Sequence, residues 1–251
     1  ADNQQIYDEN WPQWLDMKRH GPSSRWLRAL IGDLLEGPLP NAEINRVLDF
    51  GCGEGTTTEF LARKLPSASV VGVDQSRSGI DCANAHHRSA NLEFRHHPGD
   101  TPFREAGFDL VTCFEVLEHV DDWQALARRL AHASSRYLLV SFPTGRMRDF
   151  EVNIGHLRNF RPGEFEAFME RIGFRTVEVF YAGFPFYSPL FRDVCNLTNS
   201  AGNTLTRGHY SFWTQRLADL ILFSFRFLST RRRGGDQFCG LFEVAGRGEA
   251  R

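Results

Sequence analysis

A short apolar run that ends in an acid and leads into three alternating glycines, VLDFGCGEG, constrains the fold of this chain more than any other stretch. Residues 46–50 predict a buried strand, and residues 56–65 predict the helix that follows it. Gly51, Gly53 and Gly55 lie in the turn between them. Glycine permits positive φ and lets a ligand approach bare peptide N–H groups at the start of a helix. We therefore expect a cofactor site at the C-terminal end of the first strand of an α/β sheet.

A second strand is predicted at residues 69–74 (SVVGVD), and it ends in Asp74. A carboxylate at this place can accept hydrogen bonds from both hydroxyls of a ribose, which fits any adenosine ligand. The nicotinamide dinucleotide fingerprint G-x-G-x-x-G is not met, because Thr56 stands where its third glycine would be. The ligand expected here therefore contains adenosine but is not a nicotinamide dinucleotide.

Three motifs taken together, VLDFGCGEG, VVGVD and the later FDLVTCFEVLEHV, resemble those of the class I S-adenosylmethionine (SAM)-dependent methyltransferases. The resemblance extends over residues 44–173. It implies an α/β, Rossmann-like fold with a seven-stranded, mostly parallel sheet, helices on both faces and an antiparallel last strand beside the fifth. It also implies SAM as the cofactor and S-adenosylhomocysteine as the product, and no metal ion is included in this expectation.

The resemblance further implies a cofactor site assembled from the turn after the first strand and from the segments that follow the next three. The implied cofactor-binding residues are Asp49, Gly51, Cys52, Gly53, Gly55, Asp74, Gln75, Asp100, Thr101, Phe114 and His119. In the family, an acid at the position of Asp100 accepts from the adenine amino group. The alternative for Asp100 is an ordinary turn-forming aspartate beside Gly99.

The chain divides into a cofactor-binding domain and two additions. We expect residues 44–182 and 236–251 to form the domain. Residues 1–43 read as two helices separated by HGPS, and in the resembling family such a segment closes over cofactor and substrate as a lid. The aromatic residues of this segment are then lid and substrate candidates, and the alternative is that they only pack the helices down. They are Tyr7, Trp11 and Trp14.

Residues 183–235 replace the short hairpin that a typical member of the family has before its last strand. This insertion ends in an aromatic-rich helix over residues 210–228, with apolar residues on so many sides that it needs cover on more than one. One predicted side consists of Trp213, Leu217, Leu220, Ile221, Ser224 and Leu228. We consider three roles: a cap over the active site, a homodimer interface, and contact with a membrane surface through Arg231 to Arg233. The arginines alternatively complement the helix C-terminus.

Candidate catalytic groups converge in FEVLEHV and in the later GHLRNF. If a helix begins at Glu115, then Glu115, Glu118 and His119 share one face. A neutral imidazole suits removal of a hydroxyl or phenol proton near neutral pH, so His119 and His156 are the candidate catalytic residues. Arg158, two residues beyond His156, is a candidate substrate-facing residue.

The same two carboxylates and two histidines are also a plausible ligand set for a divalent metal ion. Their E-x-x-E-H plus later histidine arrangement is similar to that of metal-dependent small-RNA 2′-O-methyltransferases and of ubiquinone-pathway O-methyltransferases. In the alternative reading, common among class I members without a metal, the acids face the edge of the core or cap the helix, and the histidine contacts the cofactor. The metal site is therefore an alternative to the cofactor-only expectation.

Composition narrows the functional classes. The formal net charge is −2 at pH 7, so no basic surface indicates nucleic acid. The five cysteines lack C-x-x-C spacing, which favours reduced thiols and a cytoplasmic location. We expect a SAM-dependent methyltransferase that acts on a small or carrier-borne organic acceptor, with oxygen favoured as the acceptor atom. The alternatives are a metal-assisted RNA 2′-O-methyltransferase and a non-catalytic, SAM-binding partner subunit.

Overall fold

The computed structural model describes residues 3–39, 43–98, 104–198 and 209–246. Within these residues one sheet is formed by β1 (Arg46–Phe50), β2 (Ser69–Asp74), β3 (Leu92–His96), β4 (Phe108–Phe114), β5 (Ser134–Pro143), β6 (Phe174–Ala182) and β7 (Gln237–Val244). The seven strands lie in the order β3-β2-β1-β4-β5-β7-β6. The first five pair in parallel, and β7 is antiparallel to both β5 and β6. The predicted Rossmann-like sheet with its antiparallel last strand is confirmed.

Helices cover both faces of the sheet. They are α1 (Asn3–His20), α2 (Pro22–Glu36), α3 (Thr56–Lys64), α4 (Arg77–His86), α5 (Trp123–Ala133), α6 (Asp149–Asn153), α7 (Glu164–Arg171), α8 (Arg192–Thr198) and α9 (Phe212–Phe227). Side chains of α5 and α7 bury one face, and side chains of α2, α3 and α9 bury the other. The parallel sheet is thus covered on both sides, as its apolar strands require.

The position of β5 inside the sheet explains why its sequence is almost continuously apolar. Leu138, Val140 and Phe142 join the apolar cluster on the α5 side of the sheet. Tyr137 and Leu139 join the cluster on the α2 side. Because successive side chains of a strand point to opposite faces, a strand buried on both sides needs apolar residues at every position.

The break between α1 and α2 follows from two residues. Gly21 ends α1, and its N–H donates to the carbonyl of Met17 at 2.8 Å. Pro22 then begins α2 at a position where the missing N–H costs nothing. The chain turns here so that α1 contacts α4, α2 and α3 across the strand ends that lead into the glycine turn.

The insertion contains a kinked segment, Phe186–Phe191, in which Ser188 is extended, and this segment continues into α8. Two ion pairs attach it to the domain: Arg192 forms a buried pair with Glu151 of α6, and the buried Arg148 pairs with the partly exposed Asp193 at 2.6 Å. Arg192, Glu151 and Arg148 are each buried. Residues 186–198 of the insertion are therefore bound to the domain by charge as well as by apolar contact.

Helix α9 is covered on one side only among the described residues. Ala218 and Phe225 are buried, and the Phe225 ring contacts Trp26 of α2 at a centroid distance of 5.6 Å. Trp213 and Leu220, on the side singled out from the sequence, are exposed. Within the described part of the chain, Trp26 and the Phe186–Phe191 segment cover only the side that carries Phe225. None of the described helices is long and apolar enough to cross a membrane.

Candidate active site

The glycine turn after β1 is held by Asp74. Its carboxylate oxygens accept from the N–H of Gly53 at 2.8 Å and from the N–H of Ser76 at 2.7 Å. Burial raises the pKa of Asp74, and these two backbone donors counteract the shift. Gly53 has φ of 53°, a conformation that side chains disfavour. Asp74 thus shapes the turn directly, in addition to its expected role at a ribose.

Trp11 of α1 covers this turn. A Cβ atom added at Gly53 would clash with the indole ring of Trp11. The same ring lies 5.4 Å from Tyr7 and 5.6 Å from Trp14, measured between ring centroids. The three aromatic residues proposed for the lid are therefore one cluster, and it occupies the side from which a ligand would approach Gly53.

Asp49 lies beneath the turn as a buried carboxylate with two hydroxyl donors. Thr112 Oγ1 donates to it at 2.7 Å and Thr58 Oγ1 at 2.6 Å. Burial raises the pKa of Asp49 to about 6, although the two hydroxyls oppose that shift. At neutral pH it is a negative charge at the end of β1, where it can face a cationic ligand group.

A cavity of about 360 Å³ opens from this turn between α1, α2, α6 and the insertion. Most of the predicted site residues line it. They are Tyr7, Trp11, Trp14, Asp49, Gly51, Cys52, Phe114, Glu115, His119 and His156. One enclosed space therefore joins the expected cofactor residues to both candidate catalytic histidines.

The segment after β4 differs from the prediction. No helix begins at Glu115: this residue has φ of 56°, and a short 3₁₀ turn spans Leu117–His119. The Glu115 carboxylate accepts from Ser141 Oγ at 2.7 Å and from Gln237 Nε2 at 2.9 Å. These partners come from β5 and β7, so tertiary contacts override the helical spacing and separate Glu115 from Glu118 and His119.

Glu118, His119 and His156 do converge. One ligand atom from each lies within 4.8 Å of those of the other two. The two imidazole rings are 4.6 Å apart between centroids. His119 Nδ1 is 2.9 Å from the carbonyl of Gly155, and His119 Nε2 is 2.9 Å from the Tyr7 hydroxyl.

Burial perturbs these three groups in opposite directions. It raises the pKa of Glu118 well above its ordinary value, and the nearby Glu115 adds to the rise. It lowers the pKa of His119 to about 3, helped by His156, and that of His156 to about 4. Both histidines are therefore neutral at physiological pH, and each can accept a proton or bind a cation.

The cluster also meets a chemical test for a divalent cation. Both carboxylate oxygens of Glu118 are buried without a hydrogen-bond partner among the described residues, and so is His156 Nδ1. A buried carboxylate without a donor is costly, and a cation beside two neutral imidazoles would remove the cost. Glu118, His119 and His156 therefore fit such an ion, whereas Glu115 is bonded elsewhere.

The family whose model is described as "Methyltransferase domain" matches residues 17–179 of this chain. The chain belongs to this family. It is thereby a member of the class I methyltransferases, enzymes that use SAM as the cofactor, which the sequence motifs predicted.

Curated relatives and solved structures agree with this assignment. The chain is 40% identical over 82 residues to a ubiquinone biosynthesis O-methyltransferase of Acinetobacter baylyi. The aligned residues cover 31% of this chain and 34% of the relative. A ubiquinone biosynthesis O-methyltransferase of Coxiella burnetii is 41% identical over 88 residues, 34% of this chain and 37% of the relative. The chain spans about a third of the length of these curated relatives.

A solved structure of similar fold is the magnesium protoporphyrin IX methyltransferase of Synechocystis PCC 6803 with bound SAM. Its TM-score is 0.57 at 18% identity, over 71% of this chain and 89% of that one. At this identity the similarity shows the fold alone.

Several predicted residues of the methyltransferase site do not line the cavity. Gly53 and Asp74 lie behind Trp11, and Gln75 is exposed. Gly55 faces Phe94 and Ala83, so its missing side chain serves packing of the turn.

Two other predictions have different outcomes. Arg158 donates to the carbonyl of Asp121 at 2.9 Å and does not line the cavity, so its predicted substrate-facing position is not found. Asp100 and Thr101 lie outside the described residues.

The sequence analysis considered the insertion as a cap over the active site but did not name the residues that it contributes to this methyltransferase cavity. Tyr187, Phe191 and Arg192 line it, although they follow the glycine turn by more than 130 residues. The aromatic run FPFYSPLF was the only signal of this contribution. Glu54, inside the glycine motif itself, was also missed: it is buried, lines the cavity and accepts from Thr56 Oγ1 at 2.6 Å.

Proposed function

We propose that this chain transfers the methyl group of SAM to an oxygen atom of a small or carrier-borne acceptor with an apolar or aromatic body. One observation carries the proposal: the neutral His119 and His156 line the same cavity as Asp49 and Gly51 of the cofactor turn. Aromatic side chains from α1 and from the insertion supply an apolar wall. The names of the Acinetobacter and Coxiella relatives support oxygen as the acceptor atom.

The hydrogen bonds of the two histidines support different roles for them. A carbonyl can only accept, so the contact with Gly155 places the proton of His119 on Nδ1. His119 Nε2 then accepts from the Tyr7 hydroxyl. The side chain of Asn159 is a polar neighbour of His156 and raises its pKa against burial, whereas His156 Nδ1 makes no hydrogen bond of normal geometry among the described residues. We therefore assign His156 as the base and His119 as the residue that orients Tyr7 or the acceptor hydroxyl in its place.

In this reaction the protein has to align the reactants and supply a base. The methyl group of a sulfonium is already activated, so the cavity must hold the acceptor oxygen in line with methyl and sulfur and exclude water. As the oxygen–carbon bond forms and the carbon–sulfur bond breaks, His156 takes the hydroxyl proton. S-adenosylhomocysteine, the methyl ether or ester, and a protonated His156 remain. Bulk water then removes that proton readily, because burial disfavours the charged imidazole.

The chain's additions take supporting roles in this proposal. We assign residues 1–43 as a lid, since Tyr7 and Trp11 cover the cavity and the turn. We assign residues 186–198 of the insertion as a cap, since Tyr187 and Phe191 line the cavity. All five cysteines are free and buried, which supports a reducing, cytoplasmic location. The net charge of −2 does not favour nucleic acid as substrate.

The first experiment is calorimetric titration of the purified chain with SAM and with S-adenosylhomocysteine, followed by turnover with a panel of phenols, catechols and carboxylic acids. We expect His156→Ala to lower kcat by about 100-fold or more and to leave the Kd for SAM within about twofold. His132→Ala, an exposed histidine on α5, is the matched control and should change neither.

Four outcomes would contradict the proposal in different ways. Equal loss of turnover and SAM affinity in His156→Ala would place this residue in the cofactor site. Normal turnover would remove it as the base. SAM binding without turnover on any acceptor of the panel would favour the non-catalytic partner subunit, and no binding of either ligand would overturn the cofactor assignment itself.

A metal-assisted variant of the same reaction is the second candidate, and the unpartnered carboxylate of Glu118 favours it. Glu118, His119 and His156 would hold the ion, which would supply Lewis acidity to the acceptor oxygen. We would measure Mn²⁺ and Zn²⁺ binding by equilibrium dialysis after treatment with a chelator.

Glu118→Gln should abolish the binding of metal, and Glu115→Gln is the matched control because Glu115 bonds to Ser141 and Gln237 instead. If the unsubstituted chain retains full turnover after chelator treatment and binds neither ion, the metal-assisted variant is excluded. The base assignment for His156 then stands alone.

A further inference from the structure

The most apolar side of α9 faces away from the protein. Five of its large side chains are more than half exposed: Phe212 at 61%, Trp213 at 78%, Leu220 at 66%, Phe223 at 52% and Phe227 at 66%. At 100° per residue they fall within an arc of about 100°. We call these five residues the outer ridge of α9. An exposed apolar surface of this kind marks a site of interaction.

The ridge is not the side of α9 that packs on the domain. The opposite side of the helix already has its contacts, since Ala218 and Phe225 are buried and the Phe225 ring lies 5.1 Å from that of Phe191. Arg216 is the one polar residue inside the arc, and its guanidinium lies 5.1 Å from the centre of the Phe212 ring. The helix therefore has one apolar side for the domain and a second for something else.

The charges around the ridge indicate what that partner is. Arg226 lies in the last turn of α9, and Arg231 to Arg233 follow directly. Arg231 and Arg232 pair with Asp33 and Glu178, whereas Arg226 and Arg233 form no ion pair among the described residues. The partner of this surface should therefore present negative charge beside an apolar phase.

A second copy of the chain matches this description poorly. The only acid of α9 is Asp219, which is already paired with Arg25 at 2.6 Å and with Arg216 at 3.4 Å. Ridge-to-ridge packing would therefore bring arginines together with no free carboxylate from α9. Anionic lipid supplies both the apolar phase and the charge, and phenylalanine, tryptophan and leucine flanked by arginine are typical of helices in the membrane interface.

We propose that α9 is an interfacial helix that seats the protein on an anionic bilayer surface. Its 16 residues span about 24 Å and would lie in the plane of the membrane, with the ridge among the headgroups and upper acyl chains. The same insertion supplies Tyr187 and Phe191 to the cavity wall, so the lipid surface and the cavity share one structural unit. Lipid binding needs neither SAM nor turnover and is independent of the proposed reaction.

Trp213 gives a direct test, because it is the one exposed tryptophan of five. Trp11, Trp14, Trp26 and Trp123 are all buried. The full chain is mixed with vesicles of phosphatidylcholine containing about 30% phosphatidylglycerol, or of phosphatidylcholine alone. With the anionic vesicles we expect co-sedimentation, a blue shift of tryptophan emission, and quenching by brominated lipid. Trp213→Phe should retain co-sedimentation but lose the shift and the quenching.

Two further variants separate the apolar and electrostatic parts. Phe223→Ser with Phe227→Ser should weaken vesicle binding at least tenfold, with Val152→Ser, an exposed residue of α6, as the control. Arg226→Gln and Arg233→Gln should each weaken binding to the anionic vesicles about fivefold, with the exposed Arg63→Gln unchanged. Because the substituted side chains are exposed, thermal melting of these variants should match that of the parent chain.

Sedimentation velocity tests whether a second copy of the chain, instead of a membrane surface, covers the ridge. A parent chain that is dimeric, becomes monomeric in Phe223→Ser/Phe227→Ser, and binds no vesicles would assign the ridge to a second copy and overturn the proposal. A monomer that binds neither kind of vesicle would overturn it as well. Binding that is equal for anionic and neutral vesicles would remove the role of the arginines.

Discussion

Burial acts on Glu118 and on the two histidines beside it with opposite signs. Each group is pushed towards its neutral form, so the pKa of the carboxyl rises while those of His119 and His156 fall. Both histidines are therefore neutral near pH 7, and each offers a ring nitrogen lone pair to a proton or to a cation. The choice between base and metal ligand is therefore made by whether an ion enters.

This perturbation predicts how stability depends on pH. His156 has a folded pKa of about 4, below the value of about 6.5 in the unfolded chain. On acidification the unfolded chain binds the proton first, so the contribution of His156 is complete above pH 6.5 and is lost as the pH falls towards 4. The free energy of unfolding of the parent chain, relative to His156→Gln, should fall by about 2 kcal/mol between pH 7.5 and 5. Urea titrations at both pH values measure it, and a constant difference would contradict the burial of a neutral imidazole.

Gly53 offers a second test at the level of one residue. It has positive φ and the Trp11 indole directly above it, so Gly53→Ala adds both backbone strain and a clash. We expect the Kd for SAM to rise at least tenfold. Gly163→Ala is the matched control: Gly163 also has positive φ but no atom within 4 Å of an added Cβ. The control should cost about 1 kcal/mol of stability and leave the Kd for SAM unchanged.

At the level of elements, prediction from sequence succeeded where local and tertiary preferences agree. The strand Val47 to Phe50 and the glycine turn were predictable because apolar run, acid and glycines all require the same backbone. The segment at Glu115 was not, because its conformation depends on Ser141 and Gln237, distant in sequence. The side of α9 that packs on the domain was not predictable either, because several sides of the helix are apolar. The contacts of Phe225 with Trp26 and Phe191 determine which side is covered.

Helix α1 is the element whose position should respond to the cofactor. Trp11 fills the approach to Gly53, and Tyr7 occupies His119 Nε2, so bound ligands must share or displace these contacts. We expect saturating SAM to change amide hydrogen exchange throughout Asn3–His20 severalfold. Helix α5, Trp123–Ala133, does not line the cavity and should show no change. Unchanged exchange in α1 would mean that SAM binds without moving the lid.

At the scale of the whole molecule, the insertion extends the domain. The buried ion pair between its Arg192 and Glu151 of α6, its aromatic contacts with α2 and its share of the cavity wall all cross the boundary that the sequence suggests at residue 183. The insertion and the domain should therefore unfold in one transition. A loop-like attachment would instead permit the insertion to open while the sheet stays folded.

Substitution of Arg192 tests whether the insertion and the domain unfold in one transition. Its guanidinium pairs with Glu151 and lies 3.5 Å from Asp236, and both Arg192 and Glu151 are buried. Arg192→Met would leave the Glu151 carboxylate without its cation, which should lower the free energy of unfolding by about 3–5 kcal/mol. Arg146→Met is the matched control, because Arg146 forms an exposed pair with Asp193 and its loss should cost less than about 1 kcal/mol.

The double variant Arg192→Met/Glu151→Gln should recover part of the loss, since it removes the uncompensated charge. A separate early transition in Arg192→Met, with the main midpoint unchanged, would show that the insertion is an independent unit. A single transition at lower urea would show that the charge pair stabilises the cap and the methyltransferase domain together.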